Sequence, residues 1–192
     1  MKTVRQFMII MLATVLSAGA LNARDISDYI KELDESPYPE MDKEYYLRHC
    51  IWFERGKHKT TNYARGEMLP VNTKVTLLYL SGSDMSIRVN ETGKVVKVNN
   101  VINFSRKHMS TIARLMLSPK EVSVSGEFAE SIRNGEPRLG MTKEEVVMTR
   151  GWPPAHKTDS LVRDKWMYWS SKLVVHTLEF EGEKLVKGRG IH

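Results

Sequence analysis

The stretch Leu139-Gly140-Met141-Thr142-Lys143-Glu144-Glu145-Val146-Val147, closed by Arg150-Gly151-Trp152-Pro153-Pro154, specifies a short helix at both of its ends. Thr142 is a good N-cap, and Glu145 stands three residues on, so each side chain can bond the other's backbone N–H. Met141 and Val146 take the two hydrophobic-staple positions, just outside the cap and inside the first turns. Gly151 can adopt the left-handed conformation that ends a helix, and Pro153 blocks its continuation. A helix this short is marginal alone. Such dense local specification points to a small domain whose helix ends must be fixed. It carries no catalytic chemistry.

The N-terminus speaks to compartment. Lys2 and Arg5 precede an apolar run from Phe7 to Ala20, and Ala18-Gly19-Ala20 or Leu21-Asn22-Ala23 offers a cleavage site. That layout is a secretory signal peptide over 1–23. The run is shorter than the about 20 residues of a membrane span, so export with cleavage is expected, to a bacterial periplasm or outer-membrane surface. The single cysteine, Cys50, does not follow the cleavage site, so no lipid anchor is expected. Removing 1–23 takes away Lys2 and Arg5 and lowers the formal net charge from +6 to +4. Export disfavours nucleic acid as the partner of this basic excess. Lipid headgroups, lipopolysaccharide phosphates and cell-wall carboxylates are the anions on offer, each nearby Lys or Arg being worth about 1 kcal/mol at such a surface. One cysteine excludes an internal disulfide and any Cys-based zinc finger.

Along the rest of the chain, 24–39 reads as an N-terminal helix and linker, with Ile26, Tyr29, Ile30 and Leu33 at helical spacing before Ser36-Pro37-Tyr38-Pro39. Tyr45 to Phe53 is aromatic-rich, and periodicity leaves strand and helix open. Residues 40–104 form a β-rich module: Val75, Leu77 and Tyr79 alternate, as do Met85, Ile87 and Val89, with turns at 81–84 and 90–93. That spacing predicts an antiparallel meander curling into a small barrel or half-barrel. Residues 105–126 read as a helical connector, with one helix from Ser105 to Leu117 and a short strand at Val122 and Val124. The stripe His108, Met109 and Met116 reads as core rather than as ligands. A helix over Glu127–Asn134, the capped helix, an aromatic strand at Trp166–Trp169, a strand at Leu173–Phe180 and a turn at Glu181–Lys184 complete the chain. The fold class is α+β.

Two resemblances follow from these residues. Asn62-Tyr63-Ala64-Arg65-Gly66 with Pro70-Val71-Asn72-Thr73-Lys74-Val75 resembles the opening of secreted bacterial SH3-like modules, although their closing Gly-Trp-Val strand is absent. Ile132 to Gly135, Leu139-Gly140-Met141-Thr142, Glu145-Val146, Gly151 with Pro153, Trp166-Met167-Tyr168 and Leu178-Glu179-Phe180 together resemble the SmpA/OmlA (BamE-like) family of outer-membrane assembly lipoproteins. The second resemblance covers 127–192. It implies a two-layer ααβββ module with a three-stranded antiparallel sheet, acting by binding as an envelope scaffold. This chain lacks that family's lipidated cysteine and carries a large N-terminal addition.

Chemistry is sparse. His49 beside Cys50 is the one nucleophile–base pair in plain sight, and the histidines show no metal spacing. Neither cofactor nor metal is expected, and no catalytic residue is assigned. A binding surface is expected instead at three places: the Trp152-Pro153-Pro154 knuckle; the charged loop carrying His156 and Arg163; and the basic turn Arg55, Lys57, His58 and Lys59. The expected function is an exported, non-catalytic envelope protein that binds a protein partner. The alternative is cell-wall or anionic-glycan binding through the SH3-like half, and the third reading is a thiol-dependent enzyme using Cys50.

Overall fold

The computed structural model describes residues 24–171, 174–189 and 191. The export segment 1–23 and Leu173, expected at the start of a strand, lie outside the described residues. Within them the protein is mixed α+β, with five helices and sheets of six, three and two strands.

Asp25 starts α1 (Ile26–Glu35) by accepting a hydrogen bond from the Ser27 backbone N–H, and the helix buries Ile26, Tyr29 and Leu33. The aromatic stretch resolves into two strands, β1 (Glu44–Leu47) and β2 (Ile51–Phe53), separated by a bend at Arg48, His49 and Cys50. Short strands β3 (Lys57–Lys59) and β4 (Glu67–Leu69) precede the expected meander of β5 (Lys74–Leu80), β6 (Asp84–Val89) and β7 (Val95–Asn99). The meander is antiparallel, with Leu77 opposite Ile87 and Ile87 opposite Val96. β1 extends it beside β5, while β3 closes the far edge in parallel with β7. β2 leaves this sheet to pair with β4.

Residues 105–126 do more than connect. In place of one helix from Ser105 to Leu117, the chain makes α2 (Ile102–Ser105) and α3 (Met109–Met116). Arg106 ends α2 in the left-handed region at φ 52°. Ser105 Oγ donates to Asn100 Oδ1 at 2.6 Å, so it does not cap a following helix. Leu117 and Ser118 then form β8 (Leu117–Ser118) against β1. Val122 and Val124 are not in a strand; the Val122 backbone exchanges two hydrogen bonds of 2.9 Å with the Asn72 side chain.

The C-terminal part contains α4 (Ala129–Arg133), α5 (Lys143–Arg150) and the antiparallel strands β9 (Lys165–Trp169), β10 (Val175–Glu181) and β11 (Lys184–Gly188) in the order β11-β10-β9. The start of α5 is as its sequence specifies. Glu145 N–H donates to Thr142 Oγ1 at 3.1 Å, and Thr142 N–H donates to Glu145 Oε2 at 2.7 Å. Met141 and Val146 are both fully buried. Lys143, at the first helical position, is also buried, and its ammonium donates to the Val162 carbonyl at 3.1 Å and pairs with Glu183 at 3.5 Å. Glu183 accepts in turn from the Ile26 N–H at 3.0 Å. One ion pair thereby fastens α1 to α5 and to the β10–β11 turn.

Apolar side chains gather into two cores. The first lies between the six-stranded sheet and α3 and includes Leu47, Phe53, Leu77, Ile87, Val98 and Met109. The second lies under α1, α4 and α5 and the three-stranded sheet, with Leu33, Ile132, Val146, Trp166 and Phe180. Cys50, Tyr63 and Val71 from the N-terminal half belong to this second core. Helix α3 serves both, with Ile112 and Met116 in the first and Leu115 in the second. Met109 and Met116 are core, as their spacing implies, while His108 is exposed. The second core therefore draws on residues of 40–104 as well as of 127–192.

Gly151 ends α5 with its N–H donating to the Val147 carbonyl at 2.7 Å, but at φ 75° and ψ −173° it is extended with positive φ rather than in the expected left-handed helical conformation. A Cβ at Gly151 would also meet the His49 ring at 3.0–3.1 Å. A Gly151→Val substitution is expected to lower stability by more than about 1 kcal/mol, because a β-branched residue resists positive φ. Urea denaturation checks this; an unchanged midpoint and slope would show that neither the backbone angle nor the imidazole contact constrains the site.

Candidate functional site

The bend at Arg48–Cys50 and the end of α5 meet, and a cavity opens where they do. It holds about 50 Å³ and is lined by His49, His58, Tyr63, Arg150, Trp152 and Pro154, among others. That volume suits a few water molecules rather than a large ligand. His49 Nδ1–H donates to the Cys50 carbonyl at 2.9 Å, leaving Nε2 as a buried acceptor without a partner. His58 Nδ1–H donates to the Trp52 carbonyl at 2.7 Å. Burial holds both imidazoles well below their ordinary range, at about 4. Both rings are neutral at physiological pH.

Beside it runs a more open groove of about 220 Å³. Phe104 and Trp169 form its aromatic wall, in a cluster with His156, which does not itself line the groove; the ring centroids are 4.5, 5.5 and 5.8 Å apart. Its polar wall comes from the N-terminal half, with Lys59, Asn62 and Arg65. No Asp or Glu lines either the cavity or the groove among the described residues. Trp169 stands here because strand alternation turns it opposite to Trp166 and Tyr168, which are buried in the second core. All three cluster residues are half-buried, so aromatic surface remains within reach of a partner.

The residues singled out in the sequence fall into different places. Trp152, Pro153 and Pro154 do not project as a knuckle. Pro153 and Pro154 are buried, and Trp152 stacks on Tyr29 at 5.9 Å while donating Nε1–H to the Leu115 carbonyl at 3.2 Å. An apolar Trp-Pro-Pro run following a helix is turned inward because the second core needs its area. His156 does not line the groove; it packs against Phe104 and Trp169, which do. Arg163 is exposed and pairs with Asp159 at 3.2 Å. In the basic turn, Arg55, Lys57 and Lys59 are exposed, but His58 is buried and uncharged. Only Lys59 of that turn lines the groove. Phe104, Tyr63, Arg65 and Arg150 were not foreseen; each comes to the site through contacts between distant parts of the chain.

Cys50 is buried in the second core, its thiol donating to the Ile132 carbonyl at 3.2 Å. Burial pushes its pKa up to about 11. A nucleophilic thiolate is disfavoured there, and the adjacent His49 is committed to a carbonyl. Among the described residues no three His, Cys, Asp or Glu side chains are grouped to hold a metal ion, and no helix is long and apolar enough to cross a membrane.

The buried histidines give a pH signature. Their folded pKa of about 4 lies below the ordinary 6.5, so the unfolded chain takes up protons first as pH falls. Stability is full above pH 6.5 and declines between 6.5 and 4, by up to about 1.4 kcal/mol per pH unit for each ring. Urea midpoints measured across that window should fall, and His58→Gln should shallow the decline; a flat profile would contradict the buried neutral state.

Comparison of this chain with protein-family models, with characterised proteins and with solved structures finds no match.

Proposed function

We propose that this protein is an exported, non-catalytic component of a bacterial cell envelope that binds an acidic protein partner in the groove between its two cores. The single observation that carries the reading is that groove. The half-buried rings of Phe104 and Trp169 line it together with Lys59 and Arg65, and no carboxylate does so among the described residues. Aromatic residues and arginine are the types enriched at the centres of protein interfaces.

The order α4, α5, then β9, β10 and β11 in one antiparallel sheet supports an SmpA/OmlA-like arrangement for 127–192. The antiparallel β5–β6–β7 meander is consistent with the SH3-like reading of 40–104. Export rests on the layout of 1–23 in the sequence. Placement of Cys50 as a buried, protonated thiol weighs against the thiol-enzyme reading. The glycan-binding alternative draws on one further observation: Lys59, Asn62 and Arg65, a polar wall suited to an anionic sugar, all come from the β-rich half.

Photo-crosslinking of the whole chain in cells separates these readings. A crosslinker at Lys59 or Arg65, both lining the groove, should yield discrete adducts with one envelope protein, while the same group at Glu91, in an exposed turn, should not. Adducts with cell-wall fragments would favour the glycan reading. Equal labelling from all three positions would sink the groove as the binding surface.

A further inference from the structure

A second cavity, of about 260 Å³, lies beside the end of the three-stranded sheet. Its wall carries Arg150, His176 and Arg189, set against the apolar surfaces of Trp169, Leu178 and Ile191, and no Asp or Glu lines it among the described residues.

Arg150 is the unusual member. Its Nε is buried without a hydrogen-bond partner. Its Nη1 donates to the Tyr63 carbonyl at a long 3.4 Å. It makes no ion pair among the described residues. Glu136, the carboxylate that acts on it electrostatically, is itself bonded to Arg138 at 2.8 Å. A guanidinium stays charged in proteins, and a buried charge is costly unless paired. Its place in the last turn of α5 gives the cation some support from the helix carbonyls. That support does not fill the empty donor positions of its planar fork, nor does it account for two further basic groups on the same wall. His176 reports that the three fields overlap: burial first, then Arg189 and Arg150, lower its proton affinity. Trp169 Nε1–H, on this wall too, is a second buried donor without a partner.

We propose that this cavity binds one oxyanion group, a carboxylate or a phosphate, taken by the Arg150 guanidinium and flanked by Arg189, with the apolar part of its carrier against Trp169 and Ile191. Arg is suited to planar two-oxygen groups because its fork matches both oxygens at once. The cavity adjoins the groove, since Ala64, Trp169 and Ser170 line both. The inference rests on the binding reading above and names the acidic chemistry that the partner would present.

The test uses the whole, isotope-labelled protein titrated with sodium acetate, then with inorganic phosphate, against sodium chloride at matched ionic strength. The Arg150 Nε–H and Trp169 Nε1–H resonances are followed. Acetate or phosphate should shift both saturably and chloride should not. Arg189→Gln, an exposed change, should weaken binding about tenfold (about 1.4 kcal/mol) without moving the melting temperature, and Arg150→Gln should abolish it. If Arg150→Gln fails to fold, the Arg189→Gln and His176→Gln titrations decide. Stronger acetate binding assigns a carboxylate source and stronger phosphate binding a phosphate source, and either supports the site. Shifts absent with both anions, or indifferent to Arg189→Gln, overturn it. Groove crosslinks that persist without any anion response would overturn this inference while leaving the binding reading; an intact anion response without groove crosslinks would do the reverse.

Discussion

The end of α5 is held beside the bend between β1 and β2 by hydrogen bonds to its main-chain carbonyls, two of them from the N-terminal half of the chain. Cys50 N–H donates to the Met148 carbonyl at 2.9 Å. Tyr63 OH donates to the Trp152 carbonyl at 3.2 Å, and Tyr168 OH donates to the Gly151 carbonyl at 2.9 Å. The first satisfies a carbonyl that the end of the helix leaves without an intrahelical partner, and the other two satisfy carbonyls of the residues that follow it. Each is worth about 1 kcal/mol net; the larger contribution comes from the apolar area they bring together. Tyr29 stacked on Trp152, with Cys50 and Leu115 beside them, is core that neither half could bury alone.

From that junction come the cavities. The bend must carry His49 and Cys50 inward so that its backbone reaches α5, and the imidazole then lies against the one residue, Gly151, that offers no side chain. Trp152 turns in toward α1 and α3, which leaves the aromatic surface of Trp169 and Phe104 at the mouth of the seam. Basic side chains from both halves face one another there without carboxylates among the described lining residues. Binding is thus proposed at a place that exists because two cores are fused, rather than on either one.

Local features were the legible ones. The α5 cap and staple could be read from four residues, Met141, Thr142, Glu145 and Val146, because they are close neighbours in the chain. The β5–β7 meander was legible for a similar reason, its strands being joined by short turns. What the sequence did not reveal depends on contacts across long separations. Nothing local distinguishes Arg106 as the break between α2 and α3, since a non-glycine residue at φ 52° is chosen by what surrounds it. The parallel pairing of β3 with β7 and the allegiance of α1 to the C-terminal core are equally non-local. For the site, strand alternation pointed to Trp169, and His156 and Lys59 were named; the unpaired state of Arg150 was visible only in three dimensions.

Cooperativity between the two cores is the most direct measurement. Urea unfolding of the whole chain, followed by hydrogen exchange at Ile87 in the first core and at Leu178 in the second, should give coincident transitions with a single midpoint. Separate midpoints, with one core persisting after the other has melted, would contradict a fused body and with it a binding seam that both halves build.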